Sequence, residues 1–275
     1  DTFKEGVKLI RIGEPEKGLE KLREVIRAEP DNQAAFDLVL RTNVEVFQMM
    51  LAMDGEYAKI AQSILSSARL GRIELSRDED QIRALVLTAL TADEFEERDA
   101  ANRALAGEHG EFAVPVLVEA LGDPNLDGEI DYAMISLFKI GHAAVLPLIE
   151  ATKSSNEQTR MLAAAALVHI EDSRAGIAFA RLINDPSDPV RDVAKTGMES
   201  LGMAPGTDQI QIAVKQSQDY LATTGIRDGH YSEVVWSWRD DRLKPTDVPA
   251  PLYQLELAKR RAHEALRIDP TTTHL

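Results

Sequence analysis

The sequence predicts an all-α protein, an α–α superhelix built by stacking two-helix units, and three observations carry that prediction. Between Gln81 and Gly202 one apolar pattern recurs: Ile82-Arg83-Ala84-Leu85 to Ala89-Leu90, Val114-Pro115-Val116-Leu117 to Ala120-Leu121, and Leu146-Pro147-Leu148-Ile149 to Ala151, with a weaker copy from Ile177 to Ile183. The steps are regular, 31 residues from Ala89 to Ala120 and from Ala120 to Ala151, and 32 from Pro115 to Pro147. Between the copies lie Ala101, Ala104 and Leu105; Ala133, Ser136 and Leu137; Ala163, Ala166 and Leu167; and Ala194 with Leu201, the small-plus-large spacing of a closely packed partner helix. A period in the low thirties with two apolar-striped helices per unit reads as a stacked helical array.

Taken in order, residues 1–31 form two predicted helices joined at Ile12-Gly13-Glu14-Pro15, the second running from about Pro15 and stopping near Pro30. Gly6, Leu9, Gly18, Leu22, Val25 and Pro30 stand where a tetratricopeptide unit places its small, apolar and closing proline residues, so this pair resembles that family, with Leu9 where an aromatic is usual. Seven acidic and seven basic side chains balance over residues 1–30. Residues 32–72 continue as helices without a clean period, restarting at Gly55-Glu56-Tyr57; Met49, Met50 and Met53 fit either core packing or an adaptable peptide surface. Residues 1–75 are therefore expected to form a tetratricopeptide-like cap for the array that follows.

Over residues 76–202 the resemblance is to HEAT repeats. Arg98-Asp99-Ala100-Ala101, Arg160-Met161-Leu162-Ala163 and Val190-Arg191-Asp192-Val193-Ala194 resemble the opening of the first helix of such a unit, and the Val/Leu-Pro pairs resemble the opening of the second. A proline there costs no hydrogen bond, because the first-turn N–H has no helical partner. The resemblance implies a curved, binding-type scaffold and leaves the partner open.

At the junction of two units, Asp123-Pro124-Asn125-Leu126-Asp127-Gly128-Glu129-Ile130-Asp131 resembles the first nine places of a calcium loop, with candidate ligands Asp123, Asn125, Asp127, Glu129 and Asp131. Met134 stands where the family places its bidentate carboxylate, and the related Asp185-Pro186-Ser187-Asp188-Pro189 serves a junction without any calcium pattern, its aspartates capping the next helix. The expectation is an inter-unit turn without a cofactor, calcium being the other reading.

Beyond Gly202, Met203-Ala204-Pro205-Gly206 breaks the array, and Thr207-Asp208 caps a helix from Ile210 to Leu221. Thr223 to His230 is polar and glycine-bearing. Val234, Trp236 and Trp238 then alternate with Val235, Ser237 and Arg239, a strand-like run in which both tryptophans are either packing residues or a ligand contact. Arg242 to Pro249 is too proline-rich for regular structure. Residues 203–250 are thus a helix plus an irregular, short-strand insert. Residues 251–275 are a tetratricopeptide-like last helix, with Ala258, Ala262, Ala265 and Pro270 at the family's small and closing positions.

Composition narrows the function classes. The chain has 275 residues, 44 % of them hydrophobic, no cysteine and a net charge of −15, so disulfides and thiolate metal sites are excluded. Residues 91–132 hold twelve acids against Arg98 and Arg103, a surface that repels phosphate backbones, so no nucleic-acid ligand is expected. No run of about 18 uninterrupted apolar residues is present, so no transmembrane segment is expected. The start at Asp1 is compatible with a removed signal peptide or a boundary inside a longer chain; cytoplasm, periplasm and extracellular space stay open. The six histidines show no metal spacing, and no P-loop or His-Glu-x-x-His motif occurs. The acids at Asp93, Glu94, Glu96 and Glu97 are explained by the helix N-terminus near Arg98.

The expected function is protein or peptide binding by a scaffold without catalysis. The alternatives are a regulatory or substrate-positioning module of a larger enzyme, or a structural part of a bacterial envelope or surface assembly. Glu119 and Glu150 are expected as surface side chains of a groove for a basic partner, with Trp236 and Trp238 as the second candidate contact.

Overall fold

The computed structural model describes residues 2–53, 55–204, 206–222 and 234–271, and for 127, 250 and 251 the backbone only. The expected polar stretch Thr223 to His230 and the Asp127 side chain fall outside this set. The chain is predominantly helical and divides into two compact units, Asp1–Asp78 and Glu79–Leu275.

The first unit contains α1 (Thr2–Arg11), α2 (Pro15–Arg27), α3 (Asn32–Leu40), α4 (Val44–Ala52) and α5 (Glu56–Ser76). α1 and α2 approach almost backbone to backbone, because two glycines face each other. A Cβ on Gly18 would lie 2.7 Å from the Gly6 carbonyl oxygen, and one on Gly6 would lie 3.1 Å from that of Gly18. Asp31 and Asn43 cap α3 and α4, accepting from the backbone N–H of Ala34 and Glu45. Gly55, at φ +68°, starts α5 where the sequence places a restart. Phe3, Leu22, Phe47, Met50 and Ile64 form the core. Met50 is fully buried while Met49 and Met53 are half-buried, so the methionine cluster serves packing.

The second unit begins with α6 (Glu79–Thr91), α7 (Phe95–Ala104), α8 (Val114–Leu121), α9 (Ile130–Ile140), α10 (Val145–Ala151), α11 (Glu157–Ile170), α12 (Gly176–Leu182) and α13 (Asp188–Ser200). Both Val/Leu-Pro pairs open helices, α8 and α10, as their spacing predicts. α7, α11 and α13 each begin three residues before the arginine expected near their opening, because each arginine sits one turn in and reaches back. Arg98 donates to the Ala92 carbonyl, Arg160 to Ser154 (3.1 Å) and Arg191 to Asp185 (2.6 Å), each six residues upstream. Three junctions also share an aspartate turn: Asp123, Asp172 and Asp185 accept from the backbone N–H of Asn125, Arg174 and Ser187, two residues on, at 2.9–3.0 Å.

Ile130–Ala151 is long and apolar enough by composition to cross a bilayer, against the sequence expectation, but Gly141 at φ +62° divides it into α9 and α10, and about half of it is buried. The unit ends with α14 (Gln209–Leu221), capped by Asp208, an antiparallel hairpin of β1 (Val234–Arg239) and β2 (Arg242–Asp247), and α15 (Ala250–Ile268). The hairpin corrects the expectation that Arg242 to Pro249 is irregular. Asp240 and Asp241, both near φ +54°, make a two-residue turn of the mirror-image kind that matches strand twist. Among the described residues β2 pairs with β1 alone, so Pro245, opposite Trp236, is tolerated as in any edge strand.

Candidate functional site

The short helices α8, α10 and α12 have almost no polar residues, and a helix apolar all round must be covered all round. Every residue of α10 is buried, and six of the seven in α12. α9, α11 and α13 pack against them, while the hairpin lies on α8 and α10 and α14 on α12. α15 packs on α14 and β1. The face expected to form an open groove is therefore largely occupied by the chain's own C-terminal segment.

Charged and polar side chains hold that segment in place. Trp236 is 2 % exposed; its indole N–H donates to Glu111 at 2.6 Å, and its ring meets Phe112 edge-on at 5.7 Å. Glu150 is 9 % exposed, which corrects its expected place on an open surface: its carboxylate takes Lys153 at 2.7 Å and the backbone N–H of Trp238 at 3.3 Å. Burial opposes ionisation of Glu150, and the charges of Lys153, Arg261 and Arg181 together overcome it, holding its carboxyl below the usual range. Arg260 donates to the Trp236 carbonyl at 2.7 Å. On α12, Arg181 reaches Glu264 of α15 (3.2 Å) and the Thr152 hydroxyl (2.6 Å), and Arg261 pairs with the same glutamate.

A second buried pair supports α14. Asp172 accepts from Arg174 at 2.8 and 2.9 Å and meets His142 Nδ1 at 2.9 Å. Burial raises the Asp172 pKa, but the Arg174 guanidinium and N–H and His142 lower it further, so the carboxyl lies far below the ordinary value. Gln216 of α14 donates to the carbonyls of Ser173 and Arg174. His169 stacks on Phe138 at 3.8 Å, a packing residue as expected.

Beside the hairpin a cleft of about 490 Å³ stays open, and it gathers three of the sequence-derived candidates: Glu119 of α8, Asp123 of the following turn, and Trp238 of β1. Pro115, Val118 and Leu243 supply its apolar wall; Asp241 and Arg242 of the hairpin and Ser154 to Asn156 complete the rim. Glu119 is exposed and pairs with Arg83 at 3.0 Å. Glu150 and Trp236 are not part of this cleft: Glu150 lies beneath the hairpin, and Trp236 is a buried residue of its first strand. Sequence reasoning missed Asp241, although Asp240-Asp241 between two alternating runs is a hairpin-turn signal. It also missed Glu111, whose partner Trp236 is 125 residues away.

Of the calcium candidates, the Asp127 side chain lies outside the described residues. Asp123 is engaged by the N–H and side-chain amide of Asn125, at 2.9 and 2.8 Å, and Asp131 lies in the first turn of α9. Among the described residues no three acidic or histidine side chains are grouped to hold a metal ion. No family model matches this chain, and no curated protein matches it significantly.

Proposed function

We propose that this chain is a protein- or peptide-binding helical scaffold without catalytic activity, HEAT-like in residues 76–202 and tetratricopeptide-like at both ends. The repeated arginine reach at Arg98, Arg160 and Arg191 and the 31-residue steps support the repeat reading. The observation that carries the functional reading is that the α8–α10 face already seats an extended polypeptide, gripping the Trp238 N–H through Glu150, while Arg260 of the neighbouring α15 takes the Trp236 carbonyl. Glu150, Asp172 and Glu264 are each ion-paired, an arrangement suited to holding segments together rather than to proton transfer.

A partner peptide lies along the open cleft beside the hairpin, its apolar side chains against Val118, Trp238 and Leu243. Glu119, Asp123 and Asp241 outnumber Arg242 there, so the partner presents lysine or arginine. Selection of a random short-peptide library on the immobilised protein tests this. Enriched sequences should carry Lys or Arg next to an apolar residue and quench the tryptophan emission, since both tryptophans sit in the hairpin. Glu119→Lys with Asp241→Asn should weaken them about tenfold or more. Enrichment of peptides without basic residues, or binding indifferent to both substitutions, would exclude this cleft.

A further inference from the structure

The first unit holds a cleft of different character, about 430 Å³, between α1 and the turn joining α3 to α4. Val7 and Val46 form its floor, and Lys4, Lys8, Arg11 and Arg41 its rim; among the described residues no carboxylate lines it. Lys8 and Arg11 are exposed and make no ion pair among the described residues, and Glu5 and Glu45 on the same helices lie outside the lining. Ile12 in the lining is 63 % exposed, and Leu40 and Val44, next to lining residues along the chain, are 67 % and 64 % exposed. Exposed apolar side chains in and beside a cationic cleft fit a polypeptide with an apolar anchor among acids better than a compact small molecule.

The same chain carries that segment. At the start of α7, Phe95 is 67 % exposed and is flanked by Asp93, Glu94, Glu96 and Glu97, whose carboxylates make no ion pair among the described residues. Helix polarity accounts for the acids, but not for a phenylalanine left in water. Charge is also unevenly divided: residues 1–78 carry 14 acidic and 12 basic side chains, the remainder 32 and 19. We propose that the cationic cleft of one copy receives the Phe95 segment of a second copy, Phe95 entering over Val7 and Val46 while its acids meet Lys8, Arg11 and Arg41. Because the two surfaces differ and each copy carries one of each, the contact repeats either reciprocally within a dimer or from copy to copy in a longer assembly. Copies of charge −15 repel at long range, and salt near 0.15 M, with a Debye length of about 8 Å, screens that repulsion more than pairing in contact.

Sedimentation velocity of the full chain at about 0.15 M salt, from roughly 1 to 200 µM, tests the contact, since small interfaces of this kind are weak. The weight-average mass should rise with concentration from the 30.3 kDa monomer. Lys8→Glu with Arg11→Glu, or Phe95→Ser alone, should each abolish the rise; all three positions are exposed, and an unchanged circular dichroism melt verifies folding. An equimolar mixture of the two variants, each with one intact half, should associate again and stop at a dimer. A wild type that stays monomeric throughout, a variant that associates like wild type, or a mixture that stays monomeric or grows past the dimer would overturn the proposal.

Discussion

Arg98, Arg160 and Arg191 stand 62 and 31 residues apart, and a fourth place in that series falls on Glu129, at the junction that resembles a calcium loop. With no arginine to reach back there, the chain takes a tight helical turn over Pro124–Glu129 before α9 begins, so the unusual local sequence marks a missing contact. Arg160 is the most deeply committed of the three: besides Ser154 and Ser155 it holds Asp185 through two bonds of 2.8 and 2.9 Å, with its side chain 13 % exposed. Arg160→Ala strands a buried carboxylate and should cost about 3 kcal/mol in urea unfolding. Arg191→Ala removes one carbonyl contact and a pair with the exposed Asp188, and should cost about 1 kcal/mol. Equal losses would contradict this ranking. The buried carboxylates also fix the response to acid. Asp172, Asp185 and Glu150 have folded pKa values below their unfolded ones, so their stabilisation is present above the unfolded values near 4 and is lost as pH falls toward the folded ones. Melting temperature should therefore drop steeply below about pH 4, and Asp172→Asn should flatten that slope while lowering stability at pH 7.

At the scale of elements, the helices of the second unit were legible because their pattern is local. Val-Pro and Leu-Pro openings, alanine stripes and Asp-Pro turns each specify a helix end within a few residues. Their covering was not read, yet Val145-Leu146-Pro147-Leu148-Ile149-Glu150-Ala151 has a single charged residue and no face to offer water, which already excluded an open groove along α10. The hairpin escaped because Pro245 was weighed against regularity, whereas an edge strand needs only one row of hydrogen bonds. Close helix approach is where small residues decide. A Cβ on Gly197 of α13 would fall 2.5–2.7 Å from the buried ring of Phe179 on α12, so Gly197→Ala should destabilise by about 1–3 kcal/mol despite its better helix propensity. A thermal melt unchanged by this substitution would show that α12 and α13 are less tightly packed than described.

Over the whole molecule, the chain divides into two units with separate cores, the net charge being −2 for residues 1–78 and −13 for the rest. The contacts that hold the hairpin were not legible in the sequence, since they join residues 88 and 125 positions apart and leave no periodic trace. Those contacts are also where the functional reading is most exposed to test. Hydrogen exchange followed by mass spectrometry on Val234–Asp247 asks whether the helical face truly holds a polypeptide strand. The account predicts hairpin amides protected nearly as well as those of α10, with Glu150→Gln and Arg260→Ala speeding exchange in the hairpin about tenfold while leaving α11 and α13 unchanged. Hairpin amides exchanging at the rate of an unstructured peptide in the wild-type protein would contradict it.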